Sequence, residues 1–510
     1  MRTPTTEHIY MTLFYSSAMK NFQVAIIGGG VIGSSLAWEL SHYNISTIVF
    51  EQGSDVASGT SKANSGVLHS GINSPPSSLK ALYCIQGNKL FRSLAGILGF
   101  LVQWRGKYVI AKNEEEVEEL VRLKKVGEQN KVPGLQIIDS KSVKKKEPHV
   151  SCHSALWVPT AGIILPYECT IAFAENAVLN GVKVLLETAV KNIKRNDHGF
   201  DIVTSQGIYH SEIVVNATGL NSRTIVAMLE EPDFDIYPCR GEYLVLDKNC
   251  NNMVHSMIYP VPVKNLGVLG VHVTPTIEGN ILLGPSAEFI SDPYDTSTSK
   301  QMMQVLFKEA KEIIPSLPDS SIINAYSGIR CKLASKQSGG WADYRIQEST
   351  AIPGFIHLLG IESPGLTAAP AIAQEVRTMI SKYISLKKKK KFMVKKRRLR
   401  RFAEMSREEQ QQLIKKDERW GRIICRCETV TEAEVAEAIA NPLGATTLSA
   451  IKYRCRAGMG RCQGGFCTQH IVRLLQKEAK KDIKHLNLKS PQSHLFSGNI
   501  REENHDTSTS

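Results

Sequence analysis

Four cysteines near the end of the sequence have the spacing of metal ligands. Cys425 and Cys427 form a C-x-C pair, and after thirty-four further residues Cys462 and Cys467 form C-x4-C. Thiolates in two pairs can surround a tetrahedral zinc or give two ligands to each iron of a [2Fe–2S] cluster. Zinc fingers favour wider pairs than C-x-C, so the spacing leans toward iron. Gly458, Gly460, Gly464 and Gly465 can turn backbone amides toward sulfur, while Arg426, Arg456 and Arg461 set positive charge beside it. Both features raise a cluster's potential. Cys455, just before the second pair, reads as a spare thiol. Thr429 and Glu432 have capping-box spacing for a helix that starts there, as a small all-helical unit requires.

A different chemistry stands at the other end. "FQVAII" at 22–27 is a continuous apolar run, followed by Gly28, Gly30 and Gly33 in G-x-G-x-x-G register, a helix-forming stretch at 31–43, and a second apolar run at 45–50. This is a strand, helix, strand opening in which the glycines permit a tight turn, admit a pyrophosphate to the backbone, and let helix and strand pack closely. The helix N-terminus adds amide donors and positive potential. Glu51 ends the second strand, where a carboxylate can accept both hydroxyls of an adenosine ribose. These residues serve NAD and FAD equally.

Three later segments carry a resemblance that separates the two. "SGTSKANSGVLHSG" at 58–71, "VVNATGLNS" at 214–222 and "GIESPGLTAAPAIA" at 360–373 resemble the flavin-contacting segments of the FAD-dependent oxidoreductase superfamily that includes D-amino acid oxidase. The resemblance covers about 22–385 and implies FAD contacts from Ser58, Thr60, Ser65, Gly66, Thr218, Gly219, Gly365, Leu366 and Thr367. A helix starting near Leu366 would aim its amides at the flavin pyrimidine edge and stabilise the anion formed when flavin takes hydride. "CRCETVTEAEV" and "RAGMGRCQGGFC" similarly resemble the bacterioferritin-associated ferredoxin-like domain, which implies a [2Fe–2S] cluster on Cys425, Cys427, Cys462 and Cys467. Flavin accepts electrons as a pair and such a cluster passes them singly. The pairing therefore resembles a dehydrogenase wired to an electron acceptor, a protein or a quinone.

This combination resembles the anaerobic type of glycerol-3-phosphate dehydrogenase. The stretch at 259–288 also resembles L-2-hydroxyglutarate dehydrogenase and oxidase. Both substrates are small anions with a secondary alcohol. His272 in "GVHVTP" is the first candidate base and His69 in "VLHSG" the second, since imidazole titrates near neutral pH. Arg330 in "SGIRCKL" is the candidate anion clamp, because guanidinium holds carboxylate or phosphate bidentately; Arg240 and Lys332 support it. Arg240 equally fits an ion pair within the substrate domain. Two other readings are a catalytically idle flavin and iron–sulfur electron-transfer subunit, and a zinc-stabilised module fused to an oxidase.

A chain of 510 residues with 42% apolar and 22% charged content suits two or three globular domains. The expected architecture is an α/β Rossmann-like FAD-binding domain with an inserted α+β substrate domain, plus the small all-helical iron–sulfur domain. Boundaries fall at 1–21 for an N-terminal extension and 22–386 for the oxidoreductase domain, its substrate part mainly 90–150 and 225–325. A basic linker at 387–419, the iron–sulfur domain at 420–480 and a polar, disordered tail at 481–510 follow. "SLAGILGFLVQW" at 93–104 is too short to span a bilayer and reads as buried core.

The net charge of +13 is concentrated in "KKKKKFMVKKRRLRR" at 387–401, which holds eleven Lys and Arg. The rest is close to neutral. That run reads first as a solvated linker, then as a peripheral contact for a membrane; no nucleic-acid role is assigned. Eleven cysteines, five of them crowded into 425–467, fit metal in a reducing compartment. The cytoplasm is expected, with a mitochondrion or related organelle as the alternative, because 1–18 has the Ser/Thr content of a presequence and Met19 can serve as a start.

Overall fold

A computed structural model describes residues 20–262, 270–396 and 401–496. The extension before residue 20, residues 397–400 of the basic run, part of the 259–288 stretch and the last residues of the tail lie outside them. The chain divides into two compact units, residues 1–52 with 56–398, and residues 53–55 with 399–510.

The first unit is built on two large sheets, with a small three-stranded sheet beside them. The opening strand Lys20–Ile27 pairs in parallel with Thr47–Phe50 on one side and Gly207–Asn216 on the other, and Phe355–Leu359 pairs in parallel with the latter. Strands buried on both faces read as unbroken apolar runs, which is why "FQVAII" and "TIVF" lack alternation. Helices Val31–Leu40, Leu79–Leu98, Pro166–Leu179 and Gly365–Ile380 share one apolar core against this sheet. The second sheet has nine strands, centred on Tyr237–Leu246, which pairs antiparallel with Ile322–Lys332. Alternation along Lys107–Ala111 and Met257–Pro260 puts Tyr108, Ile110 and Ile258 against helix Lys300–Ile313. Lys107, Val109, Met257 and Tyr259 point the other way. The substrate part thus runs beyond the expected limits, to Val158 and Lys332.

The second unit packs helices Glu432–Ile439, Leu448–Cys455 and Thr468–Glu478 around one core, together with a short ladder between Ile423–Cys425 and Val430–Thr431. It is therefore helical but not all-helical. The capping box belongs to Thr431 and Glu434, two residues after the expected pair, because Thr429 takes a positive φ of 50° in the turn between the ladder strands.

Three further expectations need correction. Residues 481–496 are ordered, since Ile483, Leu486 and Leu495 pack into the core of the second unit; they are too far apart in sequence to give a periodic signal. The 387–419 stretch is not a linker. Residues 387–396 lie along the first unit, whereas Arg407–Lys416 is a helix of the second, capped by Ser406 and Glu409. The 93–104 run straddles a helix end at Gly99, so Leu98 and Phe100 are buried while Ile97 and Leu101 remain exposed. No helix among the described residues is long and apolar enough to cross a membrane.

The glycine turn is among the tight constraints in the fold. Gly28 has φ 107°, and a Cβ on Gly33 would stand 1.9 Å from the Gly28 carbonyl oxygen. Gly33→Ala is expected to cost about 1–3 kcal/mol or more by overpacking. A lowered melting temperature and loss of visible flavin absorbance in the purified protein check this.

Candidate active site and cluster site

The nucleotide crevice forms where the first strand meets its helix. Glu51 accepts a hydrogen bond from the Gly29 amide at 2.7 Å, so its carboxylate stands at the mouth of the turn. Ser61 accepts one from Val31 at 2.8 Å, at the helix N-terminus. A Cβ at Gly30 would meet only the Ser61 hydroxyl, and one at Gly219 would meet nothing within 4 Å. These are the open places that a pyrophosphate approaching the backbone needs. Thr218 donates to Asn216 at 2.7 Å, which fixes that loop at the end of its strand. Thr60 donates to the Ile329 carbonyl and Gly66 takes φ 65°. The residues present therefore fit a dinucleotide. Ser61 lies inside a quoted motif yet was not singled out, because its role depends on Val31, thirty residues earlier.

The flavin end gathers around the N-terminus of helix Gly365–Ile380. Thr367 is fully buried and its hydroxyl accepts the His69 amide at 2.9 Å. The His69 ring reaches Ser363 at 3.3 Å, and its carbonyl accepts from Asn88 at 3.0 Å. His69 thus sits beside the amides expected to face flavin, deep in the fold yet with partial solvent access. Burial first, and the Lys107 ammonium second, lower its pKa to about 3. It is a neutral base at physiological pH. His272 is more enclosed, 4% exposed, with its ring flat on Tyr259 at 3.5 Å.

Lys107 joins these groups and was missed from sequence. Its side chain is fully buried, 3.3 Å from the Asn73 side-chain oxygen and 4.5 Å from the centre of the Tyr259 ring. It forms no ion pair among the described residues. Burial brings its pKa down to about 8, with Cys84 opposing. A lysine starting the otherwise apolar strand "KYVIA" was the available signal.

Arg330 also has no carboxylate partner among the described residues; it donates to the Ser286 carbonyl at 3.0 Å and reaches Cys239 sulfur at 3.4 Å. The two supporting cations are neutralised. Arg240 pairs with Glu288 and Asp295, each at 2.6 Å, so it takes the ion-pair role within its sheet. Lys332 and Lys80 share Glu362, at 3.3 and 2.7 Å. Burial alone would raise the Glu362 carboxyl, but the two lysines hold it below its ordinary range.

In the second unit the sulfurs fall into two pairs. Cys427 and Cys462 sulfurs are 3.6 Å apart and exposed, while Cys425 and Cys467 are buried and hydrogen-bonded to each other. Metal–thiolate bonds of about 2.3 Å put two sulfurs of a tetrahedron about 3.8 Å apart, so the first pair has the span for one metal. Among the described residues no three His, Cys, Asp or Glu side chains converge on a single ion. Two pairs suit two irons. Amides of Gly458 and Glu428 point at Cys425, and those of Phe466 and Gly464 at Cys462. The Cys467 hydrogen bond draws the Cys425 thiol down to about 6. Gly460 serves close approach instead, since a Cβ there would lie 2.3 Å from Cys427 Cβ. Arg456 pairs with the buried Glu428 at 2.9 Å, and Arg426 lies 4.3 Å over the Phe466 ring. Cys455 is half-buried, donates to the Ile451 carbonyl, and is pushed up to about 12 by desolvation.

Comparison with known proteins supports both cofactors. A family model described as FAD dependent oxidoreductase matches residues 23–379. The chain belongs to this family. A second model, BFD-like [2Fe-2S] binding domain, matches residues 423–477 of this FAD-dependent oxidoreductase. A glycerol 3-phosphate dehydrogenase from Caloramator mitchellensis is 39% identical over 94% of this chain and 99% of the relative. A mitochondrial L-2-hydroxyglutarate dehydrogenase from Arabidopsis thaliana is 30% identical over 70% of this chain and 83% of its own. Among solved structures, the dithionite-reduced, FAD-bound L-alpha-glycerophosphate oxidase of Mycoplasma pneumoniae matches with TM-score 0.69 and 32% identity, covering 73% of this chain and 98% of that one. The protein is an oxidoreductase whose cofactors are FAD and a [2Fe–2S] cluster.

Two substitutions separate ligand from bystander. Cys462→Ser is expected to abolish the electron paramagnetic resonance signal of the dithionite-reduced protein. Cys455→Ala is expected to keep it.

Proposed function

We propose that this oxidoreductase is a dehydrogenase that converts sn-glycerol 3-phosphate to dihydroxyacetone phosphate and passes the electrons to a protein or quinone acceptor. The observation that carries the substrate is the span of the Caloramator glycerol 3-phosphate dehydrogenase match, which takes in both units, whereas the Arabidopsis hydroxyglutarate relative covers 70% of the chain. Eleven cysteines, none bonded to another, fit a reducing compartment such as the cytoplasm.

FAD, when bound, supplies a two-electron acceptor, and the cluster a one-electron carrier. The residues that would hold FAD are Gly28, Gly30, Gly33, Glu51, Ser61, Thr218 and the amides from Gly365 onward. The cluster would rest on Cys425, Cys427, Cys462 and Cys467. The chain's own contribution is charge and proton handling. Arg330 offers a half-buried guanidinium to the phosphate. Lys107 adds a second cation, attracting the anion and adding to the burial that keeps His69 unprotonated. His69 then takes the hydroxyl proton at an imidazole nitrogen, aided by Ser363 and the Thr367 contact that hold the loop. We prefer His69 to His272 because His69 keeps solvent access and adjoins the helix N-terminus, while His272 is stacked shut against Tyr259.

Anaerobic mixing with sn-glycerol 3-phosphate should bleach the visible flavin band, and L-2-hydroxyglutarate should not; the reverse result transfers the assignment to the hydroxy acid. His69→Asn is expected to slow flavin reduction by about 10²–10⁴, the range for losing a general base, and His272→Asn by much less.

A pH profile tests Lys107. It is charged below its pKa of about 8 and neutral above it. Because kcat/KM reports the free enzyme, kcat/KM should fall as pH rises through about 8. Lys107→Met should lower the plateau and remove that limb.

A further inference from the structure

The basic segment 387–396 takes no part in the proposed chemistry, yet its backbone is fixed with unusual care. Asn176 and Asn180 stand one turn apart at the end of helix Pro166–Leu179. The Asn176 amide donates to the Lys395 carbonyl at 3.1 Å and accepts its N–H at 2.8 Å. Asn180 does the same for Met393, at 2.7 and 2.9 Å. Each side chain thus replaces the two bonds that a neighbouring strand would make to alternate residues. Upstream, the Lys387 carbonyl accepts from Asn44 and the Lys389 amide donates to His42, both at 2.8 Å. Phe392 stacks on His42 at 4.1 Å and packs on Trp38 at 5.1 Å.

Fixing the backbone leaves the charges outside. Lys387, Lys388, Lys390, Lys391, Lys395 and Lys396 are exposed and form no ion pair among the described residues. The sequence has no Asp or Glu between Glu375 and Glu404 to neutralise them. Met393 and Val394, in their midst, are 60% and 42% exposed. A like-charged run ordinarily repels itself into disorder. Here the first unit has already ordered it.

We propose that 387–396 is a docking strip for the surface of an anionic lipid bilayer. Six ammonium groups suit lipid phosphates and carboxylates as point charges, each worth about a five-fold gain in partition near such a surface. Met393 and Val394 can enter the headgroup layer. Nucleic acid fits less well, because the strip holds no arginine and its one aromatic, Phe392, is turned inward against His42 and Trp38. The proposal is independent of which alcohol is oxidised.

Co-sedimentation of the full-length holoenzyme with vesicles tests it. Binding to phosphatidylserine-containing vesicles, little binding to phosphatidylcholine alone, and loss on adding salt are expected. Replacing the six lysines by Gln should weaken binding by at least about ten-fold while flavin absorbance and melting temperature stay unchanged. The Asn176→Ala, Asn180→Ala double variant keeps every charge and should weaken binding several-fold through lost order. Equal binding to neutral vesicles, undiminished binding of the Gln variant, or displacement from vesicles by duplex RNA would overturn the proposal. Unchanged binding of the double Ala variant would overturn the role of the asparagines.

Discussion

A buried positive charge without a carboxylate partner is the constraint on which the first unit's chemistry depends. Lys107 is closed off from water, with the Asn73 amide oxygen and the Tyr259 ring beside its ammonium and no ion-pair partner among the described residues. Arg330 is satisfied by a carbonyl and a thiol. Burying an uncompensated cation is costly, so a fold that keeps Lys107 buried and Arg330 half-buried without carboxylate partners among the described residues has a use for an anion there. The contrast with their neighbours is informative. Arg240, Lys80 and Lys332 are all matched by carboxylates, and their charge is spent on holding the sheet and the Glu362 loop in place.

Burial first, and the same charge second, set the protonation of the base. An imidazole that titrated at its ordinary value would be partly protonated at neutral pH. Burial and Lys107 together keep His69 neutral, the form that can accept a proton. Thr367 and Ser363 then tie its position to the helix whose N-terminus would face the flavin. Anion binding, proton acceptance and cofactor placement are therefore linked through one set of contacts.

Local chemistry was legible in the sequence and distant contact was not. The glycine register, the flanking apolar strands and Glu51 declare themselves within thirty residues, and the cysteine pairs within fifty. The choice between His69 and His272 was not readable, because Tyr259 covers one imidazole and Thr367 supports the other from the far end of the domain. Lys107 could be seen only as a strand residue until Met257–Pro260 paired beside it. The basic run looked like a linker because asparagine side chains, which leave no periodic trace, hold it. Thr429 and Thr431 both satisfy the capping pattern, and the ladder of Ile423–Cys425 with Val430–Thr431 decides between them.

Equilibrium binding of dihydroxyacetone phosphate to the oxidised enzyme, followed by the perturbed flavin spectrum at pH values on either side of 8, tests the electrostatic claim most directly. The account predicts tight binding at the lower pH, a loss of affinity of at least about ten-fold at the higher one, and no measurable binding of uncharged dihydroxyacetone. Affinity that ignores pH, or a neutral ketone that binds as well as its phosphate, would contradict it.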